Sequence, residues 1–159
     1  MLGVHFAITA EQEKILLDAD GDDDAVSEIM SDFEEEWADD AFQVETDKAW
    51  DAIHRCLTDG SLDPDGGTRP LALTVVGGRH LHDEIYVVHV TAAQTREVAA
   101  ALLDIDEPWL RARFAGFDDD YDGAADDQDM AYTWSNFIDV RSFFQRAAAA
   151  GRAVVFTAM

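Results

Sequence analysis

Residues with chemical potential fall in four places. Asp47, Trp50, Asp51 and His54 are spaced i, i+3, i+4 and i+7, which would put them on one face of a helix. An indole, two carboxylates and an imidazole gathered there could hold a ligand or move a proton. The same residues also read as architecture: Trp50 as core, Asp47 as a stabilising charge at a helix start, His54 as a hydrogen-bonded core histidine. Gly77-Gly78 closes an apolar run. Such a pair lets a ligand approach backbone N–H groups, or it makes a tight turn; it is too short for a phosphate or dinucleotide fingerprint. His80-x-His82-Asp83-Glu84 has metal-ligand residue types, and alternate side chains on an extended segment point the same way. No local cluster completes a tetrahedral set, although His5, His54 and His89 could approach through the fold.

The fourth place is an acidic loop. Asp118, Asp120, Asp122, Gly123 and Asp129 match positions 1, 3, 5, 6 and 12 of a calcium-loop template. Position 12 is Asp rather than the longer bidentate Glu, and position 8 is the small Ala125. A solvated surface loop is the alternative. Cys56, the single cysteine, lies beside Arg55 and near His54, but a lone cysteine on an apolar-sided helix reads as packing. There is no Gly-x-Ser-x-Gly elbow and no His-Glu-x-x-His motif. The candidate pocket is therefore Asp47, Trp50, Asp51, His54, Gly77, Gly78 and His80. No metal site is assigned beyond the calcium-loop match at Asp118, Asp120, Asp122 and Asp129, and no other cofactor is expected.

Elements must position these residues. Leu2–Ile8 reads as a strand, and Thr9 with Gln12 as a capping box opening a helix through Leu17. A second helix over 23–38 carries the stripe Val26, Ile29, Met30, Phe33 and Trp37. Thr46 is expected to cap the helix that bears Trp50 and His54, with Gly60 ending it. The turn-rich segment 61–70 leads to Leu71–Val76, either a short buried strand or a helix-to-loop transition. Ile85–Val90 reads as a strand. Thr91 and Gln94 form a second capping box, and Pro108 suits a first helical turn. Ser135 or Asn136 is expected to cap the last helix, with Val140, Phe143, Phe144 and Ala147 inward and Gly151 after its end. Arg152–Met159 closes the chain as a strand.

These elements predict one α/β domain over 1–159, a layered sandwich whose mixed sheet has helices on its faces. The first and last strands are apolar on both sides, which fits central positions in a parallel or mixed sheet.

Charge narrows the function classes. The chain carries 34 acids and 11 bases, a net charge of −23. That disfavours nucleic acid, whose phosphates need bases, and anionic membrane surfaces. The excess is uneven: net −17 over residues 9–65, −1 over 66–117 and −5 over 118–159. No apolar run approaches a membrane span, and Met1–Phe6 lacks the features of a signal peptide. A cytoplasmic location is the expectation.

Three stretches in order carry a family resemblance: Leu2-Gly3-Val4-His5-Phe6-Ala7-Ile8-Thr9; Asp47-Lys48-Ala49-Trp50-Asp51-Ala52-Ile53-His54 through Gly60, with the later Pro70-Leu71 and Gly77-Gly78; and Asn136-Phe137 through Phe143-Phe144 to Val154-Val155. The set resembles the YfbM-like family of bacterial domains of unknown function. The resemblance implies a single α/β layered domain and supplies no catalytic residues. Two functions follow as expectations. One is an acidic binding protein of immunity or inhibitor type that engages a basic protein partner. The other is a small-molecule-binding domain or enzyme with its pocket at Trp50, His54 and Gly77-Gly78.

Overall fold

A computed structural model describes residues 1–159. The chain runs β1 (Gly3–Ile8), α1 (Ala10–Asp18), α2 (Asp23–Glu36), β2 (Gln43–Asp47), α3 (Ala49–Leu57), β3 (Arg79–His80), β4 (Tyr86–Val90), α4 (Ala92–Leu102), α5 (Glu107–Phe114), α6 (Asp127–Ala149) and β5 (Ala153–Ala158). The five strands form one sheet in the order β2-β1-β5-β4-β3. Every pairing is antiparallel. First and last strands lie side by side, from Gly3 opposite Ala158 to Ile8 opposite Ala153.

The central position expected for these two strands is observed; a parallel or mixed sheet is not. Continuous apolar strands report burial on both faces, which an antiparallel sheet achieves equally when helices cover both sides. Alternate side chains divide between two cores. Phe6, Ile8, Val87, Ala153 and Val155 meet Leu16 of α1 and Val26 and Met30 of α2. Ala7, Val88, Val90, Val154, Phe156 and Ala158 meet the larger core built by α3, α4, α5 and α6. The molecule is thus three layers: α1–α2, sheet, α3–α6.

Local signals place several boundaries well. Both capping boxes form, at Thr9 with Gln12 and at Thr91 with Gln94. Gly151 takes a positive φ of 68° after α6. Two expected caps are not caps. Thr46 sits on β2, buried, and its hydroxyl donates to the Gly3 carbonyl at 3.2 Å. The last helix starts at Asp127 with Asp126 as its cap, well before Ser135. Its early turn buries Met130 and Thr133 and so extends the apolar stripe backwards, while Asn136 Nδ2 donates to the Tyr132 carbonyl instead of capping. Of the two readings of Leu71–Val76 the helix-to-loop transition is the one observed, not a strand. It opens as a 3₁₀ turn over Leu71–Leu73 and stays buried through Val76.

His5 lies inside the larger core against Phe143, Phe144 and Phe156, with ring centroids 4.8–5.8 Å away. Its Nε2 faces the Thr74 carbonyl at 2.8 Å, so Nε2 carries the proton and Nδ1 is the lone-pair nitrogen, buried without a partner. Burial lowers its pKa from 6.5 to about 4, and the bond to Thr74 only partly offsets that. The unfolded chain therefore binds a proton that the folded chain refuses between these two values. Stability from this group is complete above pH 6.5 and is lost as pH falls towards 4, by about 3 kcal/mol in all. Urea unfolding from pH 7 to 4.5 should show this fall. His5→Leu should be less stable at pH 7, because the Thr74 carbonyl loses its donor, and should lose about one proton's worth of the pH slope.

Candidate functional site

The turn from β2 into α3 is made at Asp47, in the left-handed region at φ 49°, a conformation that Asp tolerates better than most side chains. It drives the start of α3 under β1. Trp50 fills that space so tightly that a Cβ on Gly3 would stand 2.6 Å from the indole Cδ1. The indole N–H donates to the Met1 carbonyl at 3.2 Å, and the ring packs against Tyr86 and Phe156 at 5.4 and 5.6 Å. Trp50 is 5% exposed, so it forms a floor more than a wall.

The opposite wall is the segment between α5 and α6 together with the first turns of α6. Arg55 holds it in place. This guanidinium is buried, yet it donates to Asp51 at 2.5 Å, to Asp120 at 2.8 Å and to the Gly60 carbonyl at 3.3 Å. It also lies 5.4 Å from the Tyr121 ring centre. One cation thus neutralises a carboxylate on its own helix and pins the acidic loop across the end of α3. The C-terminal carbonyls of α3 are met from α5, where Arg113 donates to Cys56 and Thr58.

Between these walls is a cleft of about 910 Å³. Five aspartates line it (Asp47, Asp51, Asp122, Asp126 and Asp129) against one basic side chain, Lys48. Tyr86, Tyr121 and Tyr132 supply rings above the Trp50 floor. Two of the carboxylates are held by phenols. Tyr132 donates to Asp47 at 2.7 Å while accepting from the Lys48 N–H at 3.2 Å, and Tyr121 donates to Asp129 at 2.8 Å. Burial first, then these carboxylates, pushes both phenol pKa values up, which keeps them protonated as donors. The cleft is a fixed anionic, aromatic-walled surface that suits a cation with an apolar stem.

The structure brings together Asp47, Trp50 and Asp51 of the expected pocket and excludes the rest. His54 is buried, with Nε2–H donating to the Asp63 carbonyl at 3.0 Å, and burial lowers its pKa. It does not line the cleft. Gly77 and Gly78 are also elsewhere, and neither has a positive φ. A Cβ would meet the Ala72 carbonyl oxygen at 2.0 Å on Gly77 and the His89 carbonyl oxygen at 2.5 Å on Gly78, so backbone packed against backbone explains both.

The histidines do not converge. His80 faces the Val76 carbonyl at 2.7 Å. His82 Nδ1 accepts from the N–H groups of Glu84 and Ile85, and its Nε2 meets the Ser27 hydroxyl at 3.0 Å. Its Nδ1 also stands 3.7 Å from an Asp23 carboxylate oxygen. His89 pairs with Glu13 at 2.7 Å. No group of three His, Cys, Asp or Glu side chains is placed to hold a metal ion. The calcium-loop match is likewise not realised as a cluster. Asp120 turns to Arg55, Asp129 accepts from Tyr121 and the Ala125 N–H, and Asp122 lines the cleft apart from Asp118, which borders a smaller cavity. Cys56 is buried, and burial pushes its thiol up to about 12.

Tyr86, Tyr121, Tyr132 and Asp126 also line the cleft and were not among the residues expected from the sequence. A signal existed for one pair: Asp129 and Tyr132 are i, i+3, but they share a helix face only if α6 starts before Asp129. The Arg55 clamp yields a direct test. Arg55→Lys keeps the charge but loses the planar fork, and should cost about 1–3 kcal/mol in denaturant unfolding. Amide exchange at Asp118 and Tyr121 should accelerate with it, while Asp120→Asn, removing an exposed partner, should cost less.

Comparison with known proteins agrees with this architecture. The model of a family described as a domain of unknown function, DUF1877, matches residues 1–157. The crystal structure of YfbM from Escherichia coli, a protein of unknown function, superposes with a TM-score of 0.72 at 19% identity, covering 99% of each chain. No curated protein matches. At that identity the likeness to YfbM is one of fold. The family match spans nearly the whole chain, and the protein belongs to the DUF1877, YfbM-like family.

Proposed function

We propose that this chain is a binding protein whose cleft receives an organic cation, an amine or guanidinium carried on an apolar stem. The observation behind this reading is the cleft itself: five carboxylates, of which Asp51 is paired with Arg55, to one lysine, three phenol rings, and two carboxylates already oriented by Tyr132 and Tyr121. Preorganised acceptors lose little freedom on binding, and a cation over a phenol ring gains about 0.5–2 kcal/mol. Binding is favoured over turnover because His54 and Cys56, the side chains best suited to proton transfer or attack, are buried outside the cleft. The cytosol, where a free thiol such as Cys56 is stable, suits such a protein.

Calorimetry against alkylamines, alkyl diamines and alkylguanidines tests the reading. At least one series should bind with Kd between about 1 μM and 1 mM and weaken with salt. Asp47→Asn, which keeps size and tolerance of the left-handed turn, and Asp122→Asn should each weaken binding about three- to tenfold. Equal affinity for uncharged alcohols of the same shape, or no heat from any cation, would overturn it.

A second reading, a basic protein partner, is favoured by one further observation. Helices α1 and α2, which form one layer, carry ten acids and a single lysine, Lys14. Association by that layer should slow steeply as salt rises. No helix is long and apolar enough to cross a membrane.

A further inference from the structure

We propose that the groove between α1 and α2 docks a basic amphipathic helix of a partner protein. This rests on the second reading above and is independent of the cleft. The groove encloses about 430 Å³ on the sheet face opposite the cleft-bearing helices. Its floor is Ile29 and Phe33 of α2 and Trp37 at the helix's C-terminal cap, an i, i+4, i+8 row along one side. Ile15 of α1 forms the facing wall and is 51% exposed, more than an isoleucine in a closed core would be. The row is rigid, because Phe33 and Trp37 pack on Phe6 of the central sheet, with centroids 6.2 and 4.8 Å away.

A second row runs parallel to the apolar one. Asp32 and Glu36 line the groove one position before Phe33 and Trp37, at i, i+4. An apolar row flanked by an acidic row is the complement of a helix with Leu-type residues at i, i+4, i+8 and Lys or Arg beside them. One base, Arg152, closes an end of the groove, but it is committed: its guanidinium lies 3.7 Å from the Phe42 ring centre and donates to the Ala7 carbonyl. Charge excludes the other apolar occupants. A second copy docking by a two-fold would set α2, with seven acids and no base, against itself. A membrane surface of anionic lipid would be repelled.

The probe is a synthetic 18-residue Leu/Lys amphipathic helix, with a scrambled peptide of the same composition as control. Calorimetry should show micromolar binding at about 50 mM salt and at least tenfold weaker binding at about 0.5 M. Hydrogen exchange should protect residues 10–38. Ile15→Glu is the decisive variant, and its exposed position leaves folding intact. It should weaken binding at least fivefold although it adds a negative charge. Simple charge attraction predicts the opposite, so unchanged or tighter binding overturns the proposal. Equal binding of the scrambled peptide, protection at the Trp50 cleft instead, or no binding also overturns it. So does a concentration-dependent dimer that Ile15→Glu abolishes, which would make a second copy the occupant. Asp122→Asn should leave peptide binding unchanged, which separates this outcome from failure of the cleft reading.

Discussion

The pairing of β1 with β5 is buried on both faces, and the other elements take their places from it. Six successive residue pairs join the strands, and their side chains go alternately to the two cores. Each face therefore needs its own helical cover. The first 36 residues supply one cover and residues 49–149 the other. β1 and β5, far apart in sequence, meet in the centre, and β5 side chains enter both cores. Contacts of that sequence separation are entropically expensive to form early.

This constraint makes the site. Trp50 must pass beneath the start of β1, which is why residue 3 is glycine and why β2 ends in a left-handed aspartate. The helix that carries Trp50 then points Arg55 at the α5–α6 loop. A buried guanidinium is costly without partners, and here Asp51, Asp120 and the Gly60 carbonyl provide them. The same satisfaction that keeps Arg55 tolerable holds the cleft's far wall. Stability of α3 and shape of the cleft are thus one arrangement.

Layering also sorts the charge. Half of the 20 acids between residues 9 and 65 lie on α1 and α2, against one face of the sheet, whereas the cleft draws its acids from Asp47, Asp51, Asp122 and Asp126 before α6, and Asp129 in its first turn. Two anionic surfaces of different kind result. One is concave and walled by phenols; the other is a helical groove with an apolar floor. The first suits a compact cationic group and the second an extended basic one.

Local chemistry was legible along the chain. Capping boxes at Thr9 and Thr91, the stripe from Val26 to Trp37, and the doubly apolar strands β1 and β5 all act over a few residues, so neighbouring residue types suffice to specify them. The sequence also carried the family, through the Asp47–His54 stretch and its companions. Strand direction was not legible, because burial on both faces looks the same in parallel and antiparallel sheets. His54 was legible as a hydrogen-bonded core histidine, but its partner was not, because the Asp63 carbonyl comes from a loop. The Gly77-Gly78 pair looked like a turn or a ligand seat and is a place where backbones touch. Only the tertiary structure joined Tyr132 to Asp47 across 85 residues and Arg55 to Asp120 across 65. Such pairs have no periodicity to betray them, since their separation is set by how two layers close over a sheet rather than by any repeat in the chain.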